Sequence, residues 1–230
     1  MRALDIAATG MDAQQTRVEV ISNNLSNMST TAYNARRADF ADLHYQQQVQ
    51  PGTVNAADGT ILPTGVQLGL GVRVAAVSME VQQGSLRASG NELDVAIEGA
   101  GYLEVTLPSG LASYTRDGAL QRNGDGVIVT ADGYEVAGAI TIPEGALSLS
   151  SVVYVYGLVA FGINRYLVSA ASGQTNIGPP GEDGRGTFRQ SYLEGSSVDA
   201  VREISELIAA QRGYELNAKV ITAADQLLGA

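Results

Sequence analysis

The sequence predicts an α+β fold: long N- and C-terminal helices pairing as a coiled-coil-like domain, with an extended β-hairpin segment and a small all-β domain between them. Three observations carry this. Apolar residues recur every seven positions at both ends of the chain. A polar, glutamine-rich stretch follows the first of these runs. The rest of the middle is built of short alternating runs separated by glycine-containing turns. The corresponding segments are 1–34, 35–75, 76–195 and 196–230.

The first helix rests on Leu4, Met11, Val18 and Leu25, interleaved with Ala7, Gln14, Ile21 and Met28. These form an a/d seam with one polar member. Gly10 is its only interior weak point, at about 1 kcal/mol relative to alanine. The helix is expected to end near Asn27, where Ser29, Thr30 and Thr31 replace the apolar pattern. At the other end, Ser196 stands three residues before Asp199, at capping-box spacing. Ile204, Leu207, Gln211, Tyr214, Ala218, Ile221, Asp225 and Leu228 continue as a second a/d series over a helix from about Val198 to Leu228. Gly213 interrupts it.

Between the helices, Tyr33 to Gly71 carries Pro51-Gly52, Asp58-Gly59 and Pro63 but too few apolar residues for a core. It reads as an extended hairpin or a tail packed on neighbours. From Val72 to about Tyr192 the pattern is β. Asp94 to Ile97, Tyr102 to Leu107, Val127 to Thr130 and Tyr134 to Val136 are strands, and Pro108-Ser-Gly110, Asn123-Gly124 and Asp132-Gly133 are hairpin turns. No residue from Gly145 to Asn164 is charged. Its valines and tyrosines favour a buried strand over a membrane helix.

Composition excludes several functions. The formal net charge is -10 and Lys219 is the only lysine, which disfavours nucleic-acid binding because phosphate contacts need clustered basic side chains. Without cysteine there is no disulfide, thiolate site or thiol nucleophile. The amphipathic N-terminus, interrupted by Asp5 and Asp12, does not read as a cleaved secretory signal. His44 is the only histidine and stands in a polar segment. Asn123-Gly-Asp-Gly126 lacks the spaced carboxylates of an EF-hand loop and reads as a turn. Gly69-x-Gly71 and Gly99-x-Gly101 lack the third glycine of a dinucleotide loop. No catalytic, cofactor or metal site is expected.

Each terminal helix presents an apolar stripe with no partner nearby in sequence. An intramolecular helical hairpin on the β domain and an assembly of many copies both satisfy that pattern. Asn23, Asn24 and Asn27 are either a polar helix end or amides that fix register between subunits.

Five motifs stand out in order: Ile21-Ser-Asn-Asn-Leu-Ser-Asn27 with Ser29 to Tyr33, Asp94 to Tyr102, Tyr114-Thr-Arg-Asp-Gly118, Tyr192 to Asp199, and Ala210 to Lys219. Together they resemble the bacterial flagellar rod and hook family of axial proteins. Asp42 to Tyr45, Gln50-Pro-Gly52, Leu62-Pro63 and Gly65 to Arg73 are similar to an insertion of the family's distal-rod branch. The segment from about Ala146 to Gln174 looks shortened beside the family pattern. The resemblance implies a non-enzymatic subunit of a hollow helical tube that transmits motor torque. Its implied partners are copies of itself, other rod and hook proteins, outer ring bushing proteins and the flagellar export apparatus, with no nucleic acid. It implies a place in the basal body, spanning the periplasm, reached without a cleaved signal. The implied subunit interface is Leu4, Met11, Val18, Ile21, Asn23, Asn24, Leu25, Asn27, Met28, Ile204, Leu207, Gln211, Tyr214, Ile221 and Leu228. A proximal rod or hook protein of the same family, a secreted β-domain enzyme and a coiled-coil adhesin are the alternatives.

Overall fold

The computed structural model describes residues 2–49, 65–137, 149–152, 158–162, 164–170, 172, 175–181 and 184–228. As expected, a helix stands at each end and the middle is mostly β. Helix α1 spans Arg2–Ser26 and helix α2 spans Ala200–Leu228. The first ends where its polar run begins. The second starts two residues after the expected Val198, because the Ser196 hydroxyl instead accepts the Val198 N–H at 3.3 Å in a local turn.

The chain forms two compact units. The first contains α1 up to Asn23, α2 from Val201, and a two-stranded ribbon. In the ribbon β1 (Arg36–Asp42) pairs with β4 (Val72–Met79) and β2 (Tyr45–Val49) pairs antiparallel with β3 (Val66–Gly69). The Leu43 N–H donates to the Gly71 carbonyl at 2.9 Å and the Leu70 N–H to the His44 carbonyl at 3.2 Å, which joins the two ladders. Residues 50–64, between β2 and β3, lie outside the described residues. Gly71 has φ +117°, and a side chain there would strike the Thr9 hydroxyl, which accepts the Val72 N–H at 3.3 Å. The Ser78 hydroxyl donates to Asp39 at 2.6 Å and, with Arg37, holds that carboxyl below its ordinary range.

The second unit contains residues 24–35 and 79–200. Its main sheet runs in the order β13 (Val159–Gly162), β14 (Arg165–Leu167), β8 (Ala112–Thr115), β7 (Tyr102–Thr106), β11 (Glu135–Val136), β10 (Ile128–Thr130), β9 (Leu120–Arg122). Off this path, β12 (Leu149–Val152) pairs with β7 and with β15 (Thr175–Gly178). The three expected turns are present, with Gly110, Gly126 and Gly133 all at positive φ. Asn123 Oδ1 accepts the N–H groups of Asp125 and Val127, so the Asn123–Gly126 loop is a turn. The uncharged run at 145–164 is described only in part. Its strand β13 corrects the expectation of burial: among the described residues β13 pairs with β14 at the end of the sheet, and Val159 and Phe161 are exposed there.

Two smaller ladders return the C-terminal part of the chain to the start of the β segment. Strand β16 (Thr187–Gln190) pairs with β6 (Val95–Glu98), and β17 (Tyr192–Glu194) pairs with β5 (Leu86–Ala88). The core consists of Tyr102, Tyr114 and Tyr166, then Val95, Leu120, Ile128 and Val136, then Ile97 and Leu103 under Phe188. Tyr102 and Tyr166 meet edge to face at 5.7 Å.

Three of the motifs singled out in the sequence converge on one buried ion pair. Arg116, from Tyr114-Thr-Arg-Asp-Gly118, and Glu194, from the Tyr192 motif, are both buried and 2.9 Å apart. The remaining guanidinium N–H groups donate to the carbonyls of Gly99 and Gly101, from the Asp94 to Tyr102 motif, at 2.9–3.1 Å. Glu194 Oε1 accepts the Gly84 N–H at 3.0 Å. Every charged group in the pair thus has hydrogen-bond partners, the condition under which a buried charge is tolerated. The glycines are required by close approach. A Cβ on Gly118 would fall on the Val95 carbonyl oxygen, and one on Gly84 on the Gly195 carbonyl oxygen.

Removing one partner leaves the other charge buried and alone. Arg116→Ala and Glu194→Ala are each expected to destabilise the β unit by about 3–5 kcal/mol, read by urea unfolding followed through the near-UV signal of the tyrosines. Burial raises the pKa of the Asp117 carboxyl above its ordinary 3.8, against the opposing hydrogen bond from the Ala119 N–H. An acid with a raised folded pKa weakens the fold once it ionises. Asp117→Asn, which keeps the acceptor for Ala119, is therefore expected to raise stability at neutral pH, with the gain vanishing below pH 3.8.

Candidate assembly interface

The two helices touch within the first unit. Gly10 of α1 lies against the Asn217 side chain of α2, and Gly213 of α2 lies against Gln14 of α1. Arg17 Nη2 reaches Glu206 Oε2 at 3.4 Å, with both side chains substantially exposed, so the pair contributes little. The numbers fall along α1 as they rise along α2, so the helices run antiparallel.

The buried residues of α1 are Ala7, Ala13, Ile21 and Asn24, and those of α2 are Glu203 and Ala210. On α2 the less exposed side carries Glu203, Leu207, Ala210, Gly213, Asn217 and Ile221, and of these Gly213 and Asn217 meet α1 directly. Several other large apolar residues are exposed. Val201 is 76% exposed, Leu216 62% and Leu227 82%, and Ile204, Ile208, Tyr214 and Val220 are also exposed. Exposed apolar surface of that extent on one helix is unusual for a chain that stays single.

The expected interface residues divide by this geometry. Leu4, Met11, Val18 and Leu25 are half-buried and flank the α1 contact, while Ile21 is buried. On α2, Ile204, Gln211 and Tyr214 are exposed, Leu207 and Ile221 are half-buried, and the side chain of Leu228 lies outside the described residues. The structure brings Val18, Gln211 and Tyr214 together, with Gln15, Glu19 and Glu215, around one open groove of about 400 Å³. Met28 and Asn23 are exposed. Asn24 Oδ1 accepts the Tyr33 hydroxyl at 3.3 Å and Asn27 Oδ1 accepts the Thr30 hydroxyl at 3.0 Å, so both carbonyls already serve the turn that follows α1.

The sequence reading missed Glu203, Ala210, Gly213 and Asn217 as the inward face of α2. Their signal was the spacing of small residues, which a search for large apolar side chains passes over. Among the described residues no three His, Asp or Glu side chains come together as metal ligands, and no helix is long and apolar enough to cross a membrane.

Comparison with known proteins identifies the context of this surface. Residues 4–33 match the family model described as flagella basal body rod protein. Residues 96–157 match the flagellar hook protein FlgE/F/G D1 domain, and residues 189–230 the flagellar basal body rod FlgEFG protein C-terminal. The flagellar basal-body rod protein FlgG of Caulobacter vibrioides is 45% identical over 256 aligned positions that cover 100% of this chain and 98% of the relative. The proteins of the same name in Agrobacterium fabrum and Borreliella burgdorferi are 44% and 38% identical, covering 99% and 100% of this chain and 97% of each relative. The 256 aligned positions exceed the 230 residues here, so that relative carries residues this chain lacks. The chain belongs to the flagellar basal-body rod protein family, as a structural subunit of the basal-body rod and not an enzyme.

Proposed function

We propose that this chain is the distal rod subunit and polymerises with copies of itself into a rigid hollow tube, which transmits motor torque to the hook and passes exported subunits. The observation that carries this reading is the apolar surface of α2, where Ile204, Ile208, Leu216 and Val220 are exposed among the described residues. Repeated burial of such residues, at roughly 1.5–3 kcal/mol for each fully covered side chain, is sufficient to hold a polymer together. In this proposal residues 1–34 and 196–230 form the core helical domain, and their coiled-coil contacts with neighbouring copies line the tube. The 76–195 domain faces outward toward the ring proteins that act as a bushing. The other partners are neighbouring rod and hook proteins and the flagellar export apparatus. The subunit sits in the part of the basal body that spans the periplasm.

The ribbon supports a second contact between copies. A lone two-stranded hairpin is marginally stable in water, and Tyr45, Val66 and Leu68 are exposed on it. Strands from neighbouring copies would cover these side chains and stiffen the tube.

Replacing Ile204 and Ile208 together with Asp is expected to abolish polymerisation and swimming while leaving the tyrosine near-UV signal of the β unit unchanged. Normal swimming would count against the assembly. Leu68→Glu is expected to leave the subunit folded and still able to polymerise, with rods that bend more readily by electron microscopy.

A further inference from the structure

The contacts between α1 and α2 are reciprocal. A Cβ on Gly10 would lie 2.7 Å from Asn217 Nδ2 and 3.2 Å from its Cγ. A Cβ on Gly213 would lie 3.2 Å from Gln14 Cδ and 3.4 Å from its Cγ. Each helix therefore offers one glycine notch, and the amide side chain of the other helix fills it. Gly10 stands four residues before Gln14, and Gly213 four residues before Asn217. Both contacts thus belong to the same antiparallel alignment.

We infer that these two notches set the register of the helix pair: Gly10, Gln14, Gly213 and Asn217 select one antiparallel alignment and penalise its neighbours on both sides. Sliding α2 by one helical turn in one direction would oppose Gln14 to Asn217 and crowd two amides into the space that now holds one. Sliding it one turn the other way would oppose Gly10 to Gly213 and leave a void where the helices now touch. Overpacking and voids both destabilise. The small buried residues nearby, Ala13 and Ala210, add little selectivity of their own, because a methyl group looks alike one turn along. A buried polar group fixes alignment in paired helices because only one alignment accommodates it. Here the same result comes from volume as well as polarity.

The consequence is functional. The register of α2 on α1 sets where along the pair the exposed α2 residues lie, so a slipped pair would present its apolar surface about one turn away. The inference concerns the single chain and does not depend on polymerisation, so a failure of register and a failure of assembly are read separately.

The chain has no cysteine, which makes disulfide mapping free of background. In the dilute full-length chain, Gly10→Cys with Asn217→Cys places a thiol near the present Asn217 Cγ, within reach of a bridge. It is expected to close an intrachain disulfide about tenfold faster than either Gly10→Cys with Gly213→Cys or Gln14→Cys with Asn217→Cys, which report the two slipped alignments. The second notch is then altered while the 10–217 bridge is read. Gly213→Gln alone is expected to slow that bridge by about tenfold, and adding Gln14→Gly, which exchanges knob and notch, to restore it to within about twofold. Equal rates for the three cysteine pairs, a bridge in none of them, or an exchanged pair no faster than Gly213→Gln alone would overturn the inference.

Discussion

Helix α2 can turn only one face to α1, and the residues that meet α1 there include a glycine and an amide, Gly213 and Asn217. Ala210, Gly213 and Asn217 allow the two backbones to approach, and the geometry of a helix then sends Ile204, Ile208, Leu216 and Val220 away from that contact. Close intrachain packing and an uncovered apolar face are thus two results of one arrangement of side chains. A monomeric protein would gain by reversing it. A structural subunit of the basal-body rod, if it packs among neighbours as proposed, has reason to keep large residues for them.

The β unit is organised on a different principle. Arg116 collects the carbonyls of Gly99 and Gly101 and the carboxylate of Glu194, and so ties together segments that are far apart in sequence. Glycines at 84, 99 and 118 clear the space that this crossing of strands requires. The pair is a poor source of net stability, since desolvation offsets much of its attraction, but few other arrangements of the chain satisfy so many buried donors at once. It specifies the fold of the unit more than it strengthens it. The edge-to-face tyrosines and the aliphatic clusters supply the burial.

Much of this was legible in the sequence. Heptad spacing gave both helices nearly to their ends, and glycine turns gave the hairpins at Gly110, Gly126 and Gly133, because both signals are local. What was not legible depended on three-dimensional pairing. The sequence placed the apolar stripe of α2 along Ile204, Leu207, Gln211, Tyr214 and Ile221, and nothing local says that Gly213 and Asn217 meet α1 or that Val201, Leu216 and Val220 stay exposed. Gly10 and Gly213 looked like weak points because the amides that fill them are some two hundred residues distant. The Arg116–Glu194 pair was invisible for the same reason, although each residue lay in a motif already singled out. The exposed strand Val159–Gly162 was misjudged because an apolar run reads as buried until its place at the sheet edge is known.

The exposed apolar residues of α2 are proposed to be open in the single subunit and covered in the rod. Hydrogen exchange resolved along α2, compared between the dilute monomer and the assembled polymer, measures this most directly. The amides from Val201 to Leu227 should exchange readily in the monomer and become strongly protected on assembly. Equal and strong protection of α2 in both states would mean that the helix is already covered within one chain, and the account would fail.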